Sequence, residues 1–207
     1  SKTFQKKLRS VWQLQQHVSY CLFGSKKHLM NELFEKKNLP FYKFGDAIYL
    51  TKIETKYWIE YICKRFENTG KHISPELAEE ICRLVDNHSS YVQQLSWLLW
   101  IRTINTATTE QLTYALEDLL DQNNILFQSE TENLSAYQMN FLKAIVDGIH
   151  TKFSSKEVIS KYNLGTSANI VRLKNALLQK ELIETNGKEI VLADPVFGVW
   201  FKKEMLY

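Results

Sequence analysis

The tightest constraint on the fold lies in the last third of the chain, where three helix-start signals precede two short apolar segments flanking an Asn-Gly turn. Ser135 with Gln138 has the spacing of a capping box, Ser154 with Glu157 repeats it, and Thr166 or Ser167 opens a third stretch. The helices so predicted carry Phe141, Leu142, Ile145 and Val146, then Val158, Ile159 and Tyr162, then Ile170, Leu173 and Leu177, each set at helical spacing. Leu182-Ile183-Glu184, a turn at Asn186-Gly187 and Glu189-Ile190-Val191-Leu192 then read as a hairpin. Three helices and a hairpin, in that order, predict a winged helix-turn-helix. A last helix from Val196 to Met205, with Phe197, Trp200 and Phe201, should pack back on the body.

Upstream, residues from Glu54 to about Asn124 read as helical throughout. Tyr57, Trp58, Tyr61, Ile62 and Phe66 form one stripe, closed by Asn68-Thr69-Gly70. Ser74-Pro75-Glu76 supplies an N-cap, a proline at the first helical position and a carboxylate in the first turn. The stretch after Ser89-Ser90 is apolar almost all round, so it is expected in the middle of a bundle. Thr108 with Gln111 makes a further capping box ahead of Leu112, Ala115, Leu116, Leu119 and Leu120. Gln122 to Asn133, polar apart from Ile125-Leu126-Phe127, reads as a connection between domains.

The first fifty residues have a different character. A helical pattern through Phe4, Leu8, Val11 and Trp12 gives way to Val18-Ser19-Tyr20-Cys21-Leu22-Phe23, which predicts a buried strand ended by Gly24-Ser25. Lys26 to Phe34 reads as a helix, and Pro40-Phe41-Tyr42 begins an extended segment reaching Leu50. A lone strand needs partners for its backbone groups, so this piece is expected to be the remnant of a larger α/β core and, without its neighbours, to be disordered, rearranged or paired with a second copy. The chain begins with Ser1 and runs at once into helical sequence, which is expected of a fragment. The fold class expected is mainly α with a small β content: a partial α/β core at 1–52, a helical lid bundle at 53–128 and a winged helix at 129–207.

Charge is distributed unevenly. Residues 1–50 hold nine Lys/Arg against three Asp/Glu, 51–128 hold seven against eleven, and 129–207 hold ten against nine. The total of +3 gives no general warrant for nucleic-acid binding. Cys21, Cys63 and Cys82 are far apart and embedded in apolar stretches, the pattern of free thiols in a reducing cytoplasm. No stretch approaches the ~20 apolar residues of a membrane helix. The expected location is cytoplasmic, without membrane partners.

Catalytic constellations are missing. Gly70-Lys71 is followed by His72 and lacks the earlier glycine of a phosphate-binding loop, and Gly187-Lys188 belongs to the hairpin turn. Ile190-Val191-Leu192-Ala193-Asp194 imitates a magnesium-holding strand, but Pro195 follows it, so Asp194 reads as a helix cap. His17, His28, His72, His88 and His150 show no metal-ligand spacing. No catalytic residue, metal ligand or cofactor is assigned to the chain itself.

A set of short motifs nevertheless runs through the chain in order: Leu22-Phe23-Gly24-Ser25, Leu33-Phe34, Pro40-Phe41-Tyr42, Asn87-His88-Ser89-Ser90-Tyr91-Val92-Gln93, Leu142-Lys143-Ala144, and Asp194-Pro195-Val196-Phe197 with Trp200. Together they resemble the archaeal-type ATPases, a branch of the AAA and STAND P-loop NTPases. The resemblance implies that this is the C-terminal portion of such an ATPase, without its P-loop segment, and that the full-length parent binds ATP and magnesium. It places Ser25 at the sensor position facing the γ-phosphate and His88 at the lid, near the adenine end. Asn87 and Ser89 depart from the Gly and Pro that flank this histidine in the family, so a plain helix cap is the competing role for His88.

In the third helix of the winged domain, Ala168, Arg172, Asn175 and Gln179 are expected to face outward. Arg172 suits guanine, Asn175 or Gln179 adenine, and Lys174 phosphate. Glu181, Glu184 and Glu189 flank the wing and weaken any attraction to DNA, so a protein partner stands beside DNA as the expected ligand. Two functions follow: a nucleotide-driven switch, or a winged-helix DNA-binding regulator with a helical oligomerisation or effector module.

Overall fold

The computed structural model describes residues 2–24 and 27–205 and divides into two compact units, Ser1–Thr51 and Lys52–Tyr207. The described residues are mainly helical, with one two-stranded sheet.

In the first unit, α1 (Lys2–Trp12) and α2 (Lys27–Glu35) hold a small aromatic cluster. Trp12 stacks on Tyr20 and on Phe41 with ring centroids 4.6 and 5.6 Å apart, and Phe34 and Phe44 each lie 5.7 Å from Phe41. Phe41 alone of these is fully buried. The Arg9 guanidinium lies over the Phe44 ring and donates to the carbonyls of Pro40 and Tyr42, which ties the 36–42 turn to α1. The expected strand at Val18–Phe23 is absent: residues 18–24 have no regular structure and Phe23 is almost fully exposed. No other strand lies in this unit among the described residues, so the backbone has nothing to form a ladder with. The extended segment expected from Pro40 is likewise replaced by turns over 40–45, with Lys43 at φ 48°.

The second unit opens with a helical bundle: α3 (Thr55–Glu67), α4 (Pro75–Leu84), α5 (Ser89–Arg102) and α6 (Thr109–Glu132), packed in sequence order. Ser74 caps α4 through the Leu77 amide, and Thr108 with Gln111 forms the expected capping box on α6. Gly70, at φ 73°, takes the left-handed conformation that ends α3. The loops after α3 and α5 are stitched by backbone bonds from the His72 amide to Asn105 and from the Ala107 amide to His72, at 2.7 and 2.8 Å. Contrary to expectation, α5 is not buried all round. Tyr91, Val92, Leu95, Leu98 and Leu99 face the core, whereas Trp97 and Ile101 are about half exposed.

The polar segment expected to connect two domains is also helical. Helix α6 runs 24 residues from Thr109 to Glu132 without a break. Phe127, inside the expected connection, is buried and contacts Phe197 and Trp200 at centroid distances of 5.4 and 5.6 Å. Asn124 accepts a hydrogen bond from the Trp200 indole at 2.8 Å. The buried Phe127 and the pair of half-buried Asn124 with Trp200 therefore hold the helix, while Gln122, Ile125 and Leu126 are exposed.

The winged helix follows: α7 (Ala136–Val146), α8 (Lys156–Lys161), α9 (Ser167–Gln179), β1 (Ile183–Asn186), β2 (Glu189–Leu192) and α10 (Pro195–Met205). Ser135 and Gln138 form the expected box, and Thr166 caps α9 through the Asn169 amide. The cap of α8 is Ser155 and not Ser154, because Ser155 Oγ accepts from the Val158 amide. The strands pair antiparallel with Asn186 opposite Glu189, leaving Gly187-Lys188 as a two-residue loop in which Gly187 has φ 61°. His150 extends the pairing: its carbonyl accepts from the Ile190 amide at 2.9 Å. Phe141 stacks on Phe153 at 4.5 Å in the domain core. Helix α10 then packs on α6, α7 and β2, as expected.

Candidate functional site

The turn before α5 concentrates the unusual features of the bundle. Asp86 and Asn87 are consecutive non-glycine residues with positive φ, 48° and 53°, a conformation that costs energy and needs outside support. Support comes from two sides. Asn87 and Thr55 exchange hydrogen bonds at 3.0 and 3.3 Å, and Lys52 pairs with Asp86 at 2.5 Å. His88 sits next, at the N-cap of α5, with extended backbone and no side-chain capping bond. Its ring lies 4.8 Å from that of Tyr91, and its Nδ1 is buried without a hydrogen-bond partner.

Tyr91 carries the contact onward. Its hydroxyl donates to Asp194 Oδ2 at 2.5 Å, joining residues 103 positions apart. Asp194 Oδ1 accepts from the Val196 and Phe197 amides at 2.8 and 3.0 Å, so the same carboxylate caps α10. Burial, the bond to Asp194 and the charges of Asp194 and Glu130 push the Tyr91 hydroxyl well above its ordinary range. Burial first, and then Asp194, raises the Glu130 carboxyl. Thr55 bonds Asn87, the next residue His88 lies ring to ring against Tyr91, and Tyr91 bonds Asp194, so a file of contacts runs from the start of the bundle to the last helix of the winged domain.

Of the residues singled out in the sequence, Ser25 lies outside the described residues. His88 is placed in the file just given. Arg172, Asn175 and Gln179 share an exposed face of α9 with Ala168, and Lys174 is half-buried beside it. Val171, 61% exposed, adds an apolar patch to that face. Among the described residues no ion pair engages Arg172 or Lys174. The Tyr91–Asp194 bond was not foreseen. Asp194 was legible as a cap and Tyr91 as part of a motif, but nothing local pairs them. No group of His, Cys, Asp and Glu among the described residues is arranged to hold a metal ion, and no described helix is long and apolar enough to cross a membrane.

Residues 123–203 match the family model described as "Probable winged helix domain". That match begins inside α6, which agrees with the contacts of Asn124 and Phe127 to α10. No curated protein matches the chain in sequence. Among solved structures, the chain is similar to a Walker-type ATPase of Pyrococcus abyssi, with TM-score 0.72 and 17% identity over 97% of this chain. The chain spans 57% of the length of that protein. At this identity the likeness is one of fold, and the second unit of the chain is a helical bundle joined to a winged helix.

Proposed function

We propose that this chain is the lid and winged-helix portion of an archaeal-type AAA/STAND ATPase and acts as a nucleotide-driven switch. The observation that carries the reading is the likeness in fold to a Walker-type ATPase across almost the whole chain. The contact file supports it, because it passes through the family's lid position at His88 and ends in the winged domain. In the parent, ATP and magnesium would bind on a P-loop outside this chain. His88, whose Nδ1 has no hydrogen-bond partner among the described residues, would lie at the adenine end of the nucleotide, and Ser25 would hold the sensor position. Closure of a lid stabilised by such contacts would move the winged domain with it, since α6 and Tyr91–Asp194 join the two.

The test is amide exchange in a parent protein that carries its own P-loop. A non-hydrolysable ATP analogue should slow exchange at residues 86–91 and at Val196 and Phe197, and unchanged exchange at both places refutes the switch. The 207-residue chain alone, lacking a phosphate cradle, should give no micromolar binding isotherm with ATP and magnesium.

The exposed Arg172, without an ion pair among the described residues and with Asn175 and Gln179 beside it, supports a second reading: a winged-helix DNA reader whose bundle is an oligomerisation or effector module. A protein partner on the same face is the competing ligand, favoured by Val171 and by the exposed Glu184 and Glu189 of the wing. Salt-sensitive binding of the whole chain to mixed duplex DNA separates the two.

A further inference from the structure

Three lysines surround one cavity in the first unit. The cavity, of about 400 Å³, is lined by Lys2, Thr3, Lys6, Lys37, Asn38, Leu39 and Pro40. Lys2 and Lys6 stand one helical turn apart on α1, and like charges at that spacing repel across the helix face. Lys37 brings a third positive charge from the turn after α2. No carboxylate is among the lining residues, and no ion pair engages any of the three lysines among the described residues. The Thr3 hydroxyl and the Asn38 amide add uncharged hydrogen-bond donors to the same wall. The arrangement is held in place: Arg9 donates to the carbonyls of Pro40 and Tyr42, which pins the 36–42 turn against α1 and keeps Lys37 opposite Lys2 and Lys6.

A solvated basic helix face needs no such convergence. Single-sign charge gathered from two separate segments around one concavity is unfavourable for the folded chain by itself, and it becomes favourable when a multivalent anion enters. Leu39 and Pro40, both partly buried, add an apolar part to the lining beside the three exposed lysines. The volume suits a compact ligand with several oxygens.

We propose that Lys2, Lys6 and Lys37, with Thr3 and Asn38, form a binding site for a compact oligophosphate such as a di- or triphosphate group. The site lies wholly within residues 2–40 and does not rest on the nucleotide-switch reading. Lysine ammonium groups supply point charges to the phosphate oxygens, and the hydroxyl and amide donate to those left over.

The test is calorimetric titration of the 207-residue chain with inorganic tripolyphosphate at about 50 mM salt, where surface electrostatics are only partly screened. Saturable binding is expected, falling about five-fold for Lys6→Ala and for Lys37→Ala, the size of one partly screened charge contact. Lys37→Glu should abolish it. Lys7→Ala, on the same helix but outside the cavity, should leave it unchanged. Circular dichroism of each variant checks that these exposed substitutions keep the fold. Absence of binding, or equal loss on Lys7→Ala and Lys6→Ala, overturns the site. A short oligothymidylate that binds more tightly than tripolyphosphate, with the same lysine dependence, overturns the assignment to a compact oligophosphate in favour of a nucleic-acid backbone.

Discussion

The Tyr91 hydroxyl and the Asp194 carboxylate meet at 2.5 Å across 103 residues of chain, and the carboxylate serves both the hydroxyl and the first amides of α10. Tyr91→Phe removes one hydrogen bond to a charged acceptor and should cost about 1.5–3 kcal/mol in urea denaturation. Asp194→Ala removes the cap as well and should cost about 1 kcal/mol more. A double-mutant cycle should show a coupling energy well above zero, whereas additive losses would mean that the pair contributes nothing.

The same pair sets an alkaline limit. The folded Tyr91 hydroxyl is raised above its ordinary value near 10, so its contribution to stability is complete below that pH and is lost as pH rises further. Subtracting the stability curve of Tyr91→Phe from that of the parent chain isolates this limb from the other tyrosines. Glu130 is raised as well, so its ionised form is disfavoured in the folded state: stability falls as pH rises through its titration. Glu130→Gln should therefore stabilise the chain slightly at pH 7, by a few tenths of a kcal/mol given its exposure, and not at all below the carboxylate range.

Thiol chemistry should separate the cysteines. Cys21 is exposed, while Cys82 is buried and its thiol is pushed up to about 11 by burial. Burial also raises Cys63, which is half-covered. An aromatic disulfide reagent at pH 8 should modify one thiol rapidly in the native chain and three in urea. Rapid modification of Cys82 without denaturant would contradict the packing of α4.

Arg172→Ala and Lys174→Ala test the winged domain. On DNA, Arg172→Ala should remove about 1–3 kcal/mol of discrimination at one base pair. Lys174→Ala should instead weaken all sequences alike and lower the salt slope by roughly one unit. Neither should cost much stability, because Arg172 is exposed and Lys174 only half-buried. If the whole chain shows no salt-sensitive binding to duplex DNA, the DNA reading falls.

Helix starts were the most legible part of the fold, because a cap is a local arrangement of three or four residues. Ser74, Thr108, Ser135 and Thr166 all cap where expected, and Ser155 displaces Ser154 by one position. The misread segments share a different cause. Val18–Phe23 has strand composition, but a strand exists only as one of a pair, and no partner is present among the described residues. Gln122 to Asn133 looked like a linker because polar residues dominate it, yet Asn124 and Phe127 have partners in α10, some seventy residues away. The α9 face was readable from helical period, while the file from Thr55 to Asp194 depends on contacts that no local pattern encodes.

The unbroken course of α6 bears on how the winged domain can be inherited and handled. At 1.5 Å per residue the helix is roughly 36 Å long, and its C-terminal half supplies both the aromatic contact under α10 and the amide that holds Trp200. The winged domain is therefore not a cassette: excised after residue 128 it would lose Phe127 and Asn124 and expose Phe197 and Trp200. Grafted onto another protein, it would have to bring the end of the bundle's own last helix with it. Recombination that shuffles winged-helix modules between genes would find a viable joint upstream of residue 123, and not at the polar stretch that most resembles one.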